Sequence, residues 1–340
     1  MKAAILVKSK QKLIIDELSL PNKLLFGQVL VKIKFSGICG AQINEIDAVK
    51  GKDKFLPHLL GHEGSGIVQK IGEGVTTVKP GDHVVLHWKK GSGIESLTPK
   101  YKLGNKTINA GWVTTFNDFA VVSENRLTKI PKNFDMRIAP LFGCSLTTAF
   151  GVVNNDAKIK IGESVVIIGT GGVGLNIGLA SSLVSAYPII GVDIHNFKLT
   201  IGKKYGLSHT ILYSKKNFKN KLSNILKNKL PDNVIETTGK SEMIELAYDI
   251  TSENGKTILV GVPNKKINIY SLPLHFNKLL TGSHGGNCNP DTDIPNYINL
   301  INYKKINLKK LVTHEFSLSD INKAIDLFRK GLGGRIIINM

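Results

Sequence analysis

The run Gly169-Thr-Gly-Gly-Val-Gly174 constrains the fold of this chain more than any other feature. It matches GxGxxG, a weak signal alone. Here it follows the apolar stretch Ser164-Val-Val-Ile-Ile168, opens a helix predicted over 174–185, and precedes a second apolar stretch, Ile189-Ile-Gly-Val-Asp193. That strand–glycine turn–helix–strand order, with an acidic residue about 20 positions on, is the context in which backbone N–H groups and a helix N-terminus cradle a pyrophosphate. Gly169, Gly171, Gly172, Val173 and Gly174 are therefore candidate cofactor contacts. Asp193 would accept from the adenosine ribose hydroxyls and repel a 2′-phosphate, which favours NAD over NADP.

The alternation continues. A helix is predicted over 197–205 and strands over 233–236, 257–260 and 279–282, the pattern of a parallel sheet with right-handed crossovers. The first half reads differently, as antiparallel β structure. Strands are expected over 29–35, 66–71 and 82–87, separated by turn signals such as Gly72-Glu-Gly74 and Lys79-Pro-Gly-Asp82. Residues 88–112 lack periodicity and read as a long lobe or loop. Near the end, residues 318–330 form an amphipathic helix with Ser319 as its N-cap, and residues 335–338 a closing strand. The fold class is thus α/β: a β-rich domain and a doubly wound nucleotide domain. A chain of 340 residues can give both a core.

Charge and cysteine usage narrow the partners. The formal net charge of +19 raises the question of nucleic acid. Lysines are spread along the whole chain, as in Lys215-Lys-Asn-Phe-Lys-Asn-Lys221, with no basic stripe interleaved with aromatics. Such a spread reads as solvated faces, and an anionic cofactor gains from the positive field. No apolar run approaches the roughly 20 residues of a membrane span. Met1–Val7 is followed by Lys8 and Lys10 and reads as a first strand, not a secretion signal. Three cysteines make a disulfide framework unlikely and a reducing cytoplasm the default compartment.

Two of those cysteines sit in glycine-marked settings: Gly37-Ile-Cys39-Gly40 and Phe142-Gly-Cys144-Ser145. Gly61-His62-Glu63-Gly64 is a third such setting. Singly, a cysteine of this kind is a small hydrophobe and a histidine a satisfied core residue. Together, two thiolates and one imidazole form a three-ligand zinc set that leaves the fourth position open, as catalytic rather than structural zinc requires. Cys288 is left over.

Gly-Ile-Cys-Gly, Gly-His-Glu and Gly-Cys, in this order before the dinucleotide fingerprint, resemble the zinc-dependent alcohol dehydrogenases of the medium-chain dehydrogenase/reductase family. Lys79-Pro-Gly-Asp-His-Val84, Gly261-Val-Pro263 and Gly334-Arg335 extend the resemblance over essentially the whole chain. It implies a GroES-like catalytic domain of residues 1–148 and 285–340, with a Rossmann nucleotide domain of residues 149–284 inserted. It further implies that Cys39, His62 and Cys144 bind one catalytic zinc, with Glu63 close behind and able to enter the ligand set. By the same resemblance Thr148 touches the nicotinamide, Asp193 and Lys198 hold the adenosine ribose, and Val262 meets the carboxamide end through its backbone. Arg335 reaches the pyrophosphate and Trp88 stands in the alcohol pocket. A small alcohol or aldehyde substrate and a homodimer or homotetramer are also implied.

Three departures stand out. Residues 88–112 contain no cysteine, so the structural zinc of many relatives is not expected. Ala41 stands where many relatives carry a proton-relaying hydroxyl, and Gln42 where many carry an aspartate behind the zinc-bound histidine. Two other readings stay open: a zinc-free quinone or enone reductase of the same fold, and an NAD-binding protein without turnover.

Overall fold

The computed structural model describes every residue except 264. The chain divides into two compact units, Met1–Thr147 with Asn289–Met340, and Thr148–Cys288.

The Thr148–Cys288 unit is built on six parallel strands. Their spatial order is His209–Leu212, Ile189–Asp193, Val165–Ile168, Asn233–Glu236, Lys256–Leu259 and Leu279–Gly282. The order reverses beside Val165–Ile168, the doubly wound arrangement expected from the sequence. Val165–Ile168 and Ile189–Asp193 are buried along their whole length, which is why they read as unbroken apolar runs. Helix Gly172–Leu183 starts two residues earlier than predicted and stops before Ser185, whose φ of 59° a continuing helix cannot adopt. The next helix is Asn196–Lys203. A further helix, Phe218–Leu226, lies in the lysine-rich run that reads as a solvated face. Phe218, Leu222 and Leu226 recur at helical spacing and are buried against Val166, Ile190 and Ile211, so the lysines cover one side of an amphipathic element.

The other unit holds two sheets. The larger has seven strands. Leu127–Ile130, His83–His87, Glu63–Ile71, Gln28–Gly37, Arg335–Asn339 and Val312–Ser317 follow one another, and Phe119–Ser123 also pairs with Gln28–Gly37. The closing strand therefore lies inside the sheet, antiparallel to Gln28–Gly37 and parallel to Val312–Ser317. The second sheet runs Ile14–Glu17, Lys2–Leu6, His58–Leu59, Lys106–Asn109, Lys100–Leu103.

That second sheet corrects the reading of residues 88–112 as one aperiodic lobe. Lys100–Leu103 and Lys106–Asn109 form a hairpin about Gly104-Asn105, and Tyr101 and Ile108, paired across it, point into the core. The terminal helix is also shorter than predicted. A 3₁₀ turn spans Leu318–Asp320, the α-helix runs Ile321–Arg329, and its N-cap position is Asp320, not Ser319. Ser319 instead accepts from Lys2 Nζ at 2.7 Å. Helix Pro290–Tyr303 was not predicted. It begins with proline at N1, where a missing N–H costs nothing, and Asn289 caps it. No helix among the described residues is long and apolar enough to cross a membrane.

Candidate active site

Three elements of the first unit converge on one point. Cys39 ends the turn between strand Gln28–Gly37 and helix Gly40–Ile46, His62 immediately precedes strand Glu63–Ile71, and Cys144 precedes helix Ser145–Gly151. Gly143 explains the third approach: a Cβ there would overlap the Leu86 carbonyl oxygen and press on Glu63, so only glycine lets this segment lie on the sheet. The ligand atoms of Cys39, His62 and Cys144 all lie within 4.8 Å of one another. No other group of three or more His, Cys, Asp or Glu among the described residues has that geometry.

The surroundings fit a metal ion. His62 Nε2 is buried without a hydrogen-bond partner, while Nδ1 lies against the Gln42 side-chain amide. Gln42 is buried, its Nε2 is the atom against the ring, and its Oε1 has no partner. With the amide turned so that Oε1 faces the ring, Nδ1–H donates to it, which fixes the tautomer and leaves the Nε2 lone pair for a cation. The hydrogen bond between the two thiols holds Cys39 well below its ordinary pKa, with the opposing effect of burial outweighed. The same hydrogen bond, together with burial, pushes Cys144 well above it. Burial alone would lower His62, but the neighbouring Cys39 charge raises it above its usual value.

Glu63 is fully buried, and its Oε1 accepts from Arg335 Nη2. Burial pushes the Glu63 carboxyl above the ordinary carboxylate range, and the guanidinium opposes that shift. The resemblance gives Arg335 to the cofactor pyrophosphate; in the structure the guanidinium is buried at 3% exposure, and its Nη2 pairs with Glu63. Glu63 and Arg335 are 272 residues apart and share no local signal that sequence reasoning could have used. Trp88 is half-buried. In the ladder between strands Glu63–Ile71 and His83–His87 the last pair is Glu63 with His87, which His62 and Trp88 respectively adjoin in sequence. Thr148, in helix Ser145–Gly151, is buried.

The second unit carries the glycine turn. Helix Gly172–Leu183 opens after Gly171 with no side-chain cap, leaving its first N–H groups open to an anion. A Cβ on Gly171 would meet nothing within 4 Å, whereas one on Gly174 would overlap the Gly169 carbonyl oxygen. Gly174→Ala is accordingly expected to destabilise this unit by about 2–3 kcal/mol, because backbone cannot yield as a side chain can. Urea unfolding followed by circular dichroism would measure it. Asp193 ends its strand at 9% exposure. One carboxylate oxygen accepts from Thr170 N at 2.8 Å and Thr170 Oγ1 at 3.2 Å, and the other from His195 N at 2.9 Å. This latch between Thr170 and Asp193 was not foreseen. Lys198 lies in the first turn of helix Asn196–Lys203 with Nζ 5.9 Å from the Phe197 ring centroid. Val262 is about half exposed (49%) beyond strand Lys256–Leu259.

Comparison with known proteins agrees with this arrangement. Residues 26–132 match the alcohol dehydrogenase GroES-like domain, and residues 172–302 match the zinc-binding dehydrogenase domain. The chain is 30% identical to an alcohol dehydrogenase of Malus domestica and 29% identical to the class-P alcohol dehydrogenase of Arabidopsis thaliana; each alignment covers 100% of this chain and 97% of the relative. Among solved structures, benzyl alcohol dehydrogenase from Acinetobacter calcoaceticus superposes with a TM-score of 0.89 at 26% identity, over 100% of this chain and 99% of that one. On its sequence, its fold and its Cys-His-Cys cluster, the chain belongs to the zinc-dependent alcohol dehydrogenases of the medium-chain dehydrogenase/reductase family.

Proposed function

We propose that this chain interconverts an alcohol and its aldehyde or ketone by NAD-linked hydride transfer at a single zinc ion held by Cys39, His62 and Cys144. The observation that carries the reading is the cluster itself: two thiols and an unpartnered imidazole nitrogen within 4.8 Å, backed by a buried Gln42. Bound there, zinc supplies Lewis acidity toward the substrate oxygen, and the nicotinamide supplies the hydride acceptor or donor. The chain does the rest. Cys39 and Cys144 provide the anionic donors, Gln42 holds the His62 ring, and the Glu63–Arg335 pair lies behind the set, with Glu63 able to enter it. Ala41 has no hydroxyl, so the substrate proton leaves by a route other than the side chain at position 41.

The donor set favours this reading over a zinc-free reductase, and turnover on an alcohol panel separates it from an NAD-binding protein without activity. Zinc uptake by the metal-free protein should displace protons from Cys144 and His62. Zinc affinity should therefore fall as the pH is lowered from 8 to 6, measured against a chelator of known affinity. A flat profile would count against the cluster as the metal site.

The residues proposed for the cofactor are Gly169, Gly171, Gly172, Val173, Gly174 and Arg335 at the pyrophosphate, Asp193 and Lys198 at the adenosine ribose, Thr148 at the nicotinamide and Val262 at its carboxamide. The Asp193 carboxylate supports NAD over NADP. Asp193→Ala should raise the NADP-to-NAD ratio of kcat/KM by about tenfold or more. An unchanged ratio would remove Asp193 from that role.

Residues 1–148 with 285–340 are proposed as the catalytic domain, and residues 149–284 as the nucleotide domain. Small-molecule substrates follow from the family, and neither nucleic acid nor a membrane is proposed as a partner. A homodimer or homotetramer is supported by the edge strand Leu279–Gly282, whose Leu279 is 42% exposed beside Phe276 at 65%. Sedimentation at a mass of 37.1 kDa alone would refute it. A reducing cytoplasm suits a site that needs two free thiols.

A further inference from the structure

Arg126 is 4% exposed, yet its guanidinium touches three separate parts of the segment after strand His83–His87. Nη1 donates to the Trp88 carbonyl oxygen at 2.5 Å, Nη2 donates to Glu95 Oε1 at 2.9 Å, and the guanidinium carbon lies 4.7 Å from the Trp112 ring centroid. Glu95 is held in turn by Lys90 Nζ at 2.5 Å. The base of Arg126 is fixed independently. It closes the turn Glu124–Arg126, where Glu124 accepts from Thr76 N, Thr77 N and Ile94 N at 2.7–2.9 Å. The following strand pairs with His83–His87 with Leu127 opposite Leu86, which brings residue 126 alongside the end of that strand.

Trp88 is the first residue beyond the ladder, so regular pairing with strand Glu63–Ile71 no longer sets its position. It directly follows His87, whose ladder partner Glu63 directly follows His62, so the two residues lie at the same end of the paired strands. We propose that Arg126 is a positioning residue for substrate selection: by gripping the Trp88 carbonyl and bracing the Glu95 and Trp112 segments, it fixes where the Trp88 indole stands beside the metal cluster and so sets the size of alcohol accepted. The proposal rests on the alcohol dehydrogenase reading of the site. A planar fork is needed, because one side chain has to serve a carbonyl, a carboxylate and a ring face together, which a lysine cannot do.

The test uses the zinc-loaded full chain, with zinc content measured for each variant. Arg126→Met, Arg126→Lys, Glu95→Gln, Trp88→Ala and the double variant Arg126→Met/Trp88→Ala are compared on ethanol and on a bulky aromatic alcohol. Trp88 and Trp112 are the only two tryptophans, so indole emission reports directly on the grip. Arg126→Met should shift that emission and change the aromatic-to-ethanol ratio of kcat/KM about fivefold or more, in the same direction as Trp88→Ala. Arg126→Lys and Glu95→Gln should give smaller shifts of the same sign. The double variant should show no further change in the ratio, as expected of residues acting through one another.

If Trp88→Ala moves the ratio while the Arg126 and Glu95 variants leave it within about twofold, Arg126 is only a structural clasp and the proposal fails, with the Trp88 reading intact. If Trp88→Ala itself leaves the ratio unchanged, both fall. Should Arg126→Met not fold, Arg126→Lys and Glu95→Gln decide the matter alone.

Discussion

Cys39→Ser is expected to lose both the metal and the reaction. A serine hydroxyl is a poor zinc donor at neutral pH, and the remaining imidazole and single thiolate form an incomplete set. Polarisation of the substrate oxygen by a metal contributes several kcal/mol to the transition state; losing about 4 kcal/mol corresponds to about a thousandfold in kcat/KM. Elemental analysis should find less than about one-tenth of the zinc of the unaltered protein, as expected when a ligand of a three-residue site is removed. Cys144→Ser should behave alike, and Cys288→Ser should not, because Cys288 lies outside the cluster. Full zinc content with undiminished alcohol oxidation in Cys39→Ser would overturn the assignment.

Arg335→Met is expected to have the largest effect on stability. Arg335 and Glu63 are 3% and 0% exposed, so removing the guanidinium strands a carboxylate in the interior. Breaking such a pair from one side costs about 3–5 kcal/mol. The loss should depend on pH in a definite direction. Burial already raises the Glu63 carboxyl, and without Arg335 the largest opposing effect is gone. The folded variant then binds a proton that the unfolded chain releases, so its stability should rise as the pH falls toward the ordinary carboxylate range. The unaltered protein should show a smaller gain, because Arg335 opposes part of the shift. Adding Glu63→Gln should recover much of the loss, because a neutral amide is cheaper to bury than a lone charge. Thermal unfolding midpoints of the three proteins between pH 5 and 8 would settle it, and a pH-independent loss would point to packing alone.

The parts of this fold that were legible in the sequence are those whose burial is uniform. Ile189–Asp193 and Asn233–Glu236 are covered on both faces, so their apolar runs stand out and their bounds match. The hairpin of Lys100–Leu103 and Lys106–Asn109 was hidden because lysines fill its outward positions and only Tyr101 and Ile108 are fully buried. Helix Phe218–Leu226 was masked in the same way by Lys219 and Lys221. At the site, glycine-flanked Cys39, His62 and Cys144 were readable because each needs a special backbone beside it. The partners behind them were not: no pattern within reach of Glu63 names Arg335, and none within reach of Asp193 names Thr170.

The closing strand Arg335–Asn339 has a consequence for how the molecule is made. It lies between Gln28–Gly37 and Val312–Ser317, and it carries the arginine that neutralises Glu63. During synthesis the whole Thr148–Cys288 unit leaves the ribosome before that strand exists. The three residues of the metal cluster are by then long since made, but the sheet beneath them has a gap and a buried-to-be carboxylate has no counter-charge. Closure of the metal site therefore waits on strand Arg335–Asn339, and a product truncated before Arg335 would carry every proposed zinc ligand without the sheet that holds them in place.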